Sequence, residues 1–380
     1  MIYLDAAATS PVRREVLEAM WPYLTGDFGN PSSHHAVGES AARGLAQARA
    51  EVASWLGCRA SEVVFTSGGT EADNLAIKGI ALANPRGRHL VTTPIEHEAV
   101  LESVDHLVRV HGFAVTFVPV GRDGLISPAA FAEALRPDTT VASVMLANNE
   151  VGTVQPVAEL AALAHAHGIP FHTDAVQAAG WLPLDVGALG VDALSVSGHK
   201  IGAPKGVGAL YVRGRIPVEP VIHGGGQERG RRSGTENVAG AVALATAARL
   251  AGQEREARAA AATEARDAFV AAVLREAPGA ELTGHPTERL PGTASFVFPG
   301  VNGEAVLLEL ERRGVVSSSG SACAAGSEDA SHVLLALGYP EDLARTAVRF
   351  TWGGDVDAAA LLAVAPAVGE AVREVRALGG

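Results

Sequence analysis

Cysteine is scarce in this chain of 380 residues: only Cys58 and Cys323 occur, and neither belongs to a C-x-x-C pair. That excludes a disulfide framework and a thiolate-rich zinc site, and it fits a reducing compartment. Long apolar runs are missing too, since none approaches the roughly 18 residues of a membrane span. The start of the chain, Met1-Ile-Tyr-Leu-Asp5, has neither a basic leader nor an apolar signal core. The expectation is a soluble, cytoplasmic protein. Positive charge is also short: 30 Lys and Arg against 42 Asp and Glu leave a net charge of −12. A nucleic acid or an anionic membrane is therefore not the expected partner, and small molecules or basic protein patches suit the chain better.

What is present points to a large folded α/β protein. Hydrophobic residues make up 48% and charged residues 19%, with no long polar tract, so the chain can bury a sizeable core, and its length favours two domains. Apolar strand patterns at 63–67, 89–93, 114–120, 141–147, 169–173, 193–197 and 207–212 alternate with helical patterns at 71–83, 97–111 and 157–167. Thr9-Ser10-Pro11 reads as a helix start, with Val12 to Leu24 as the helix. This alternation predicts a mostly parallel, doubly wound sheet of seven strands, with ligands gathered at the C-terminal strand ends. The Ala-, Glu- and Arg-rich stretch Glu236 to Ala277 reads as long helices ending at Pro278-Gly279. Beyond it, a strand at Ala294–Phe298, a helix near 303–313, small residues at 317–331 and two further helices predict a smaller α/β domain. The expected division is 15–250 for the large domain, with 1–14 and 251–380 forming the small one.

Three features carry chemistry. Lys200 leaves the strand 193–197 in Ser197-Gly-His-Lys200 and enters glycine-rich turns, where a partly dry amine becomes a nucleophile able to form Schiff bases. Thr66-Ser-Gly-Gly-Thr70 opens a helix whose backbone N–H groups at Gly69 and Thr70 suit a phosphate. Asp174 ends the strand Phe171-His-Thr-Asp174, with Gln177 three residues on, and a carboxylate there can keep a pyridine nitrogen protonated. Each alone reads equally as ordinary structure: a surface lysine, a strand-to-helix turn, an N-cap aspartate. Together in one chain, the turn first, then Asp174, then Lys200, they are the three anchors of a pyridoxal phosphate site.

The chain resembles the cysteine desulfurases of the NifS/IscS type, in the class V aminotransferase family of fold type I pyridoxal phosphate enzymes. The resemblance is carried by Tyr3-Leu-Asp-Ala-Ala-Ala-Thr9, Gly29-Asn-Pro-Ser-Ser33, Thr66-Ser-Gly-Gly-Thr-Glu-Ala-Asp-Asn74, Glu96-His97, Asn148-Asn-Glu-Val-Gly152 and Ser197-Gly-His-Lys200. It extends through His223-Gly-Gly-Gly-Gln-Glu-Arg-Gly-Arg-Arg-Ser-Gly-Thr235 and Ser318-Ser-Gly-Ser-Ala-Cys323. It implies that Lys200 is the Schiff-base lysine, that Asp174 faces the pyridine nitrogen and that His97 stacks on the ring. Gln177 would contact the phenolic oxygen and Asn149 would lie near it and near the substrate, while Gly69, Thr70, Ser197 and His199 would surround the phosphate. Arg349 would clamp the substrate carboxylate, and Thr235 would reach the phosphate of a neighbouring subunit in a homodimer.

Cys323 lies among Ser, Gly and Ala with few large apolar neighbours in sequence. That favours an exposed, mobile nucleophile over a buried small hydrophobe. The implied reaction takes sulfur from L-cysteine, leaving L-alanine and a persulfide on Cys323 for an acceptor protein such as an iron–sulfur scaffold. A selenocysteine lyase, an aminotransferase or a non-enzymatic relative on the same fold are the alternatives. Two departures stand out: Ser327-Glu-Asp-Ala-Ser331 lacks the proline common after the cysteine, and Gly202-Ala203 replaces the common Tyr-Gly after the lysine.

Overall fold

The computed structural model describes residues 1–84, 86–320, 330–354 and 356–378. The strands, in chain order, are Ile2–Tyr3 (β1), Val63–Thr66 (β2), His89–Thr92 (β3), Ala114–Phe117 (β4), Thr139–Ser143 (β5), Phe171–Asp174 (β6), Ala193–Ser197 (β7), Gly208–Val212 (β8), Glu281–Leu282 (β9), Thr293–Val297 (β10), Val315–Val316 (β11) and Val348–Thr351 (β12). Seven of them form one sheet in the order β2-β8-β7-β6-β5-β3-β4. Its β8 runs antiparallel to both neighbours, and the other pairs are parallel. The central strands are buried along their whole length, because helices cover both faces of a parallel sheet and leave no solvated side. The α/β architecture matches the expectation from periodicity.

Two predicted strands shift for a tertiary reason. The pattern at 141–147 becomes β5 at Thr139–Ser143, after which Ala147 bridges Val154 in an antiparallel turn. Asn148 holds that turn: its Oδ1 accepts the N–H groups of Glu150 and Val151, each at 2.9 Å. Similarly, the pattern at 114–120 is shortened to Ala114–Phe117 at the sheet edge, where no further neighbour pairs with it.

The first helix is Arg14–Thr25, and Ser10 does not cap it. Instead Ser10 Oγ donates to the His199 carbonyl at 2.8 Å and accepts the Gly202 N–H at 3.1 Å, tying the N-terminal segment to the lysine turn. Glu236 to Ala277 forms one helix, Val238–Glu276, since no proline interrupts it before Pro278. Its first half packs in the core under the seven-stranded sheet, and its second half, from Ala265 to Val273, in another core. That second core concentrates the aromatics: Phe269 meets Phe350, Trp352 and Phe296 edge-on with ring centroids 5.4, 6.1 and 6.3 Å apart. Around it lie the antiparallel sheet β12-β10-β9, the parallel pair β1-β11 and the helices Gly303–Arg312 and Ala358–Leu378. The shorter helices His332–Ala336 and Glu341–Ala344 precede β12, so three helices follow residue 331 where two were expected.

Candidate active site

The C-terminal ends of the parallel strands open on a cavity of about 250 Å³. Five strand ends contribute to it. Gly69 and Thr70 follow β2, His97 follows β3, Asn149 follows β5, Asp174 ends β6 with Gln177 after it, and Ser197 ends β7 with His199 and Lys200 after it. Arg349 enters from β12. Of the anticipated site residues, these ten are brought together. Thr235 is not: it lines a separate pocket with Ser67, Glu228 and Arg232. Cys323 lies outside the described residues.

Gly69 is the first residue of the helix Gly69–Ala83, so its N–H points into the cavity mouth unpaired by the helix. A Cβ at Gly69 would stand 2.8 Å from Val176 Cγ2, and one at Gly208 only 2.7 Å from the backbone of Gly68. Only glycine allows this close packing, beside the helix N-terminus whose first N–H groups suit an anion. His199 beside it is pushed down to about 4 by burial and by Lys200 and Lys205, so its ring is neutral at neutral pH and lies 3.2 Å from Thr9 Oγ1.

Asp174 is 6% exposed, and its Oδ1 accepts the Val176 N–H at 2.8 Å. Burial raises its pKa, while His97, that N–H and Lys200 pull it back toward the carboxylate. His97 caps the helix Glu98–His111, its Nδ1 accepting the Ala99 N–H at 3.0 Å, which fixes the ring over the cavity. Lys200 Nζ donates to the carbonyls of Ala7 and, at 2.9 Å, of Ala8. Gln177 Nε2 shares the Ala7 carbonyl at 3.0 Å. Lys200 also lines a second, adjoining cavity of about 370 Å³ with Arg13, Trp181, Glu254 and Arg258. The lysine therefore stands between two open spaces. Gly202, the unusual residue after it, has φ +88°, and a Cβ there would lie 2.6 Å from Arg13 Cγ, so the departure from Tyr-Gly matches a backbone that favours glycine.

Arg349 is 3% exposed. Its Nη1 donates to the Asn149 carbonyl and its Nη2 to Asp5 Oδ1, both at 2.8 Å, and its Nε has no hydrogen-bond partner among the described residues. Sequence reasoning gave Asp5 no role, although it stands in a quoted motif. Its pairing with Arg349 needs β1 and β12 brought together in space, and no local pattern signals that. Asp73, also within a quoted motif, lines the same cavity and was likewise missed, since one polar residue on a helix face reads as solvated.

The comparisons with known proteins agree with this geometry. The family model "Aminotransferase class-V" matches residues 2–350. The chain is 46% identical over 353 residues to "Cysteine desulfurase IscS" of Dictyoglomus turgidum, covering 93% of this chain and 89% of the relative. It is 47% identical to "IscS-like cysteine desulfurase" of Mycobacterium tuberculosis, covering 100% and 99% of the two chains. Among solved structures, "NIFS-LIKE PROTEIN" superposes with a TM-score of 0.89 at 35% identity, covering 99% of this chain and 98% of the other. With its sheet order, its strand-end site and a family match spanning nearly its full length, the chain belongs to the class V aminotransferase family.

Proposed function

We propose that the protein is a cysteine desulfurase that uses pyridoxal 5′-phosphate, converts L-cysteine to L-alanine and passes the sulfur through Cys323 to acceptor proteins. The observation that carries this reading is the convergence of Lys200, Asp174, His97 and Arg349 on one cavity, in a chain whose relatives bear that name. The residues present fit the cofactor. Gly69 opens a helix at the cavity, and the buried Asn149 Oδ1 has no hydrogen-bond partner among the described residues. A lysine amine, a carboxylate and a helix N-terminus complete the set of groups for a phosphorylated pyridine aldehyde.

When bound, the group supplies an electron sink for the substrate's alpha carbon. The chain does the rest. Gly69, Thr70, Ser197 and His199 would hold the phosphate, His97 would lie against the ring, and Gln177 and Asn149 would stand near the phenolic oxygen. Asp174 would face the ring nitrogen and favour its protonated form. Arg349 holds the substrate carboxylate, its Nε edge being the one without a partner among the described residues. Lys200 Nζ takes the proton from the alpha carbon and returns a proton to release alanine. The Cys323 thiolate attacks the substrate sulfur: the carbon–sulfur bond breaks as a sulfur–sulfur bond forms on Cys323. The division into 15–250 and 1–14 plus 251–380 belongs to the same proposal. It is supported by the two cores and by Arg349 entering the cavity from the second of them. Among the described residues no helix is long and apolar enough to cross a membrane, which accords with a cytoplasmic enzyme, and iron–sulfur scaffolds are the proposed acceptors.

The decisive experiment incubates the purified, cofactor-loaded protein with L-cysteine and measures alanine together with protein-bound sulfur. Alanine formed in step with sulfur delivered to a thiol acceptor is the expected result. Formation of a keto acid instead of alanine would identify an aminotransferase.

Thr235 extends the proposal to assembly. It lies off the cavity of its own chain, in a pocket with Ser67 and Arg232, as a residue serving a second subunit's phosphate would. Sedimentation should therefore show a homodimer as the active species. Mixing Thr235→Ala with Lys200→Ala protein should restore about a quarter of wild-type activity through hybrid dimers with one intact site. A fully active monomer, or no recovery on mixing, contradicts the arrangement.

A further inference from the structure

Beneath the cavity floor lies a buried polar row to which the proposed chemistry assigns nothing. Ser143 of β5, His172 of β6 and Ser195 of β7 stand on adjacent strands. His172 Nδ1 lies 2.9 Å from Ser143 Oγ, and its Nε2 lies 3.0 Å from Ser195 Oγ. Asp73, from the helix Gly69–Ala83, covers this row with Oδ1 3.7 Å from His172 Nε2. Asp73 is 1% exposed, and its Oδ1 has no hydrogen-bond partner among the described residues. Ser195 is also the register partner of Asp174. The row thus sets Asp73 beside the strand-end carboxyl, and both line the cavity.

Two carboxyl groups in one dry site do not both ionise, because neither charge is solvated and each repels the other. The surroundings decide which one keeps the proton. Asp174 has the Val176 N–H at 2.8 Å, and it faces His97 and Lys200. Asp73 has no such support. Burial first, and then Asp174, opposes its charge. Its near neighbour His172 is driven down to about 3 by burial and is neutral. Glu96, fully buried and holding Thr93 Oγ1 at 2.7 Å, is itself pushed up to about 8 by burial, so it brings no strong charge to the cluster at neutral pH.

We propose that Asp73 is a positioning residue that holds the single proton of the Asp73 and Asp174 pair, so that the negative charge stays on Asp174 at the cavity. This rests on the reading of Asp174 as the group that meets the ring nitrogen. The neutral Ser143, His172 and Ser195 row gives Asp73 a polar bed without a counter-charge that would ionise it.

The test is infrared spectroscopy of the cofactor-free protein with isotope-labelled aspartate carboxyls, at neutral pH. Wild type is expected to show the carbonyl stretch of a protonated aspartic acid, and this measurement needs no variant. The band should vanish in Asp73→Asn and persist in Asp174→Asn. Because Asn cannot carry the charge, cofactor-loaded Asp174→Asn should lose about 10²-fold or more of its turnover. Absence of any protonated aspartate in wild type overturns the proposal, and so does a band that disappears in Asp174→Asn but survives in Asp73→Asn. The spectra are taken without cofactor or substrate, so they stand even if the alanine assay rejects the desulfurase reading.

Discussion

Lys200→Ala is expected to lower alanine formation by about 10³-fold or more, since it removes the group that moves the proton at the alpha carbon. It should also abolish the covalent link between protein and cofactor, because a methyl side chain has no amine to form one. Both effects are measurable on one preparation: turnover with L-cysteine, and cofactor mass retained on the protein after borohydride reduction. The fold should survive. Gln177 still donates to the Ala7 carbonyl, and the tie between Ser10 and the His199 carbonyl is untouched. Cofactor still fixed by borohydride in the variant would assign the linkage to another amine and remove Lys200 from the mechanism.

Cys323→Ser is expected to abolish sulfur transfer while leaving the cofactor site intact, because the ten anticipated site residues on the cavity remain in place. A hydroxyl is a poor nucleophile toward sulfur and cannot store it as a persulfide. The variant should bind cofactor like wild type and change its absorbance when L-cysteine is added. Alanine production should nevertheless fall to the background rate. Mass spectrometry of wild type after brief exposure to L-cysteine should find the added sulfur atom on Cys323. Sulfur found on Cys58 instead would move the nucleophile. The environment of Cys58 argues against this outcome, since burial and then Glu62 push its thiol up to about 12, which leaves almost no thiolate at neutral pH.

These two expectations draw on different kinds of legibility. Lys200, Asp174 and the Gly69-Thr70 turn could be read because each sits where a local pattern ends: an apolar strand runs out and a glycine-rich or helix-starting segment begins. Strand ends in a parallel sheet share one edge, so the pattern itself gathers them. The resemblance added His97, Asn149, Gln177 and Arg349, which no local pattern singles out, and the structure places all four on the same cavity. Ser10 shows the limit. As a cap signal it was sound, but two hydrogen bonds to the lysine turn compete with one to a helix end, and the turn has them.

The sequence by itself determined the alternation of strands and helices, the parallel sheet and the strand-end positions of the site, because periodicity and turn chemistry act over a few residues. Tertiary structure alone decided which distant groups became partners. It joined Asp5, just after β1, to Arg349 of β12, set Asp73 over His172 and on one cavity with Asp174, and ran one helix, Val238–Glu276, through two cores. The physical reason is the same in each case. The charge state of a buried group depends on what desolvates it and what faces it, and both are fixed only when segments remote in the chain pack together.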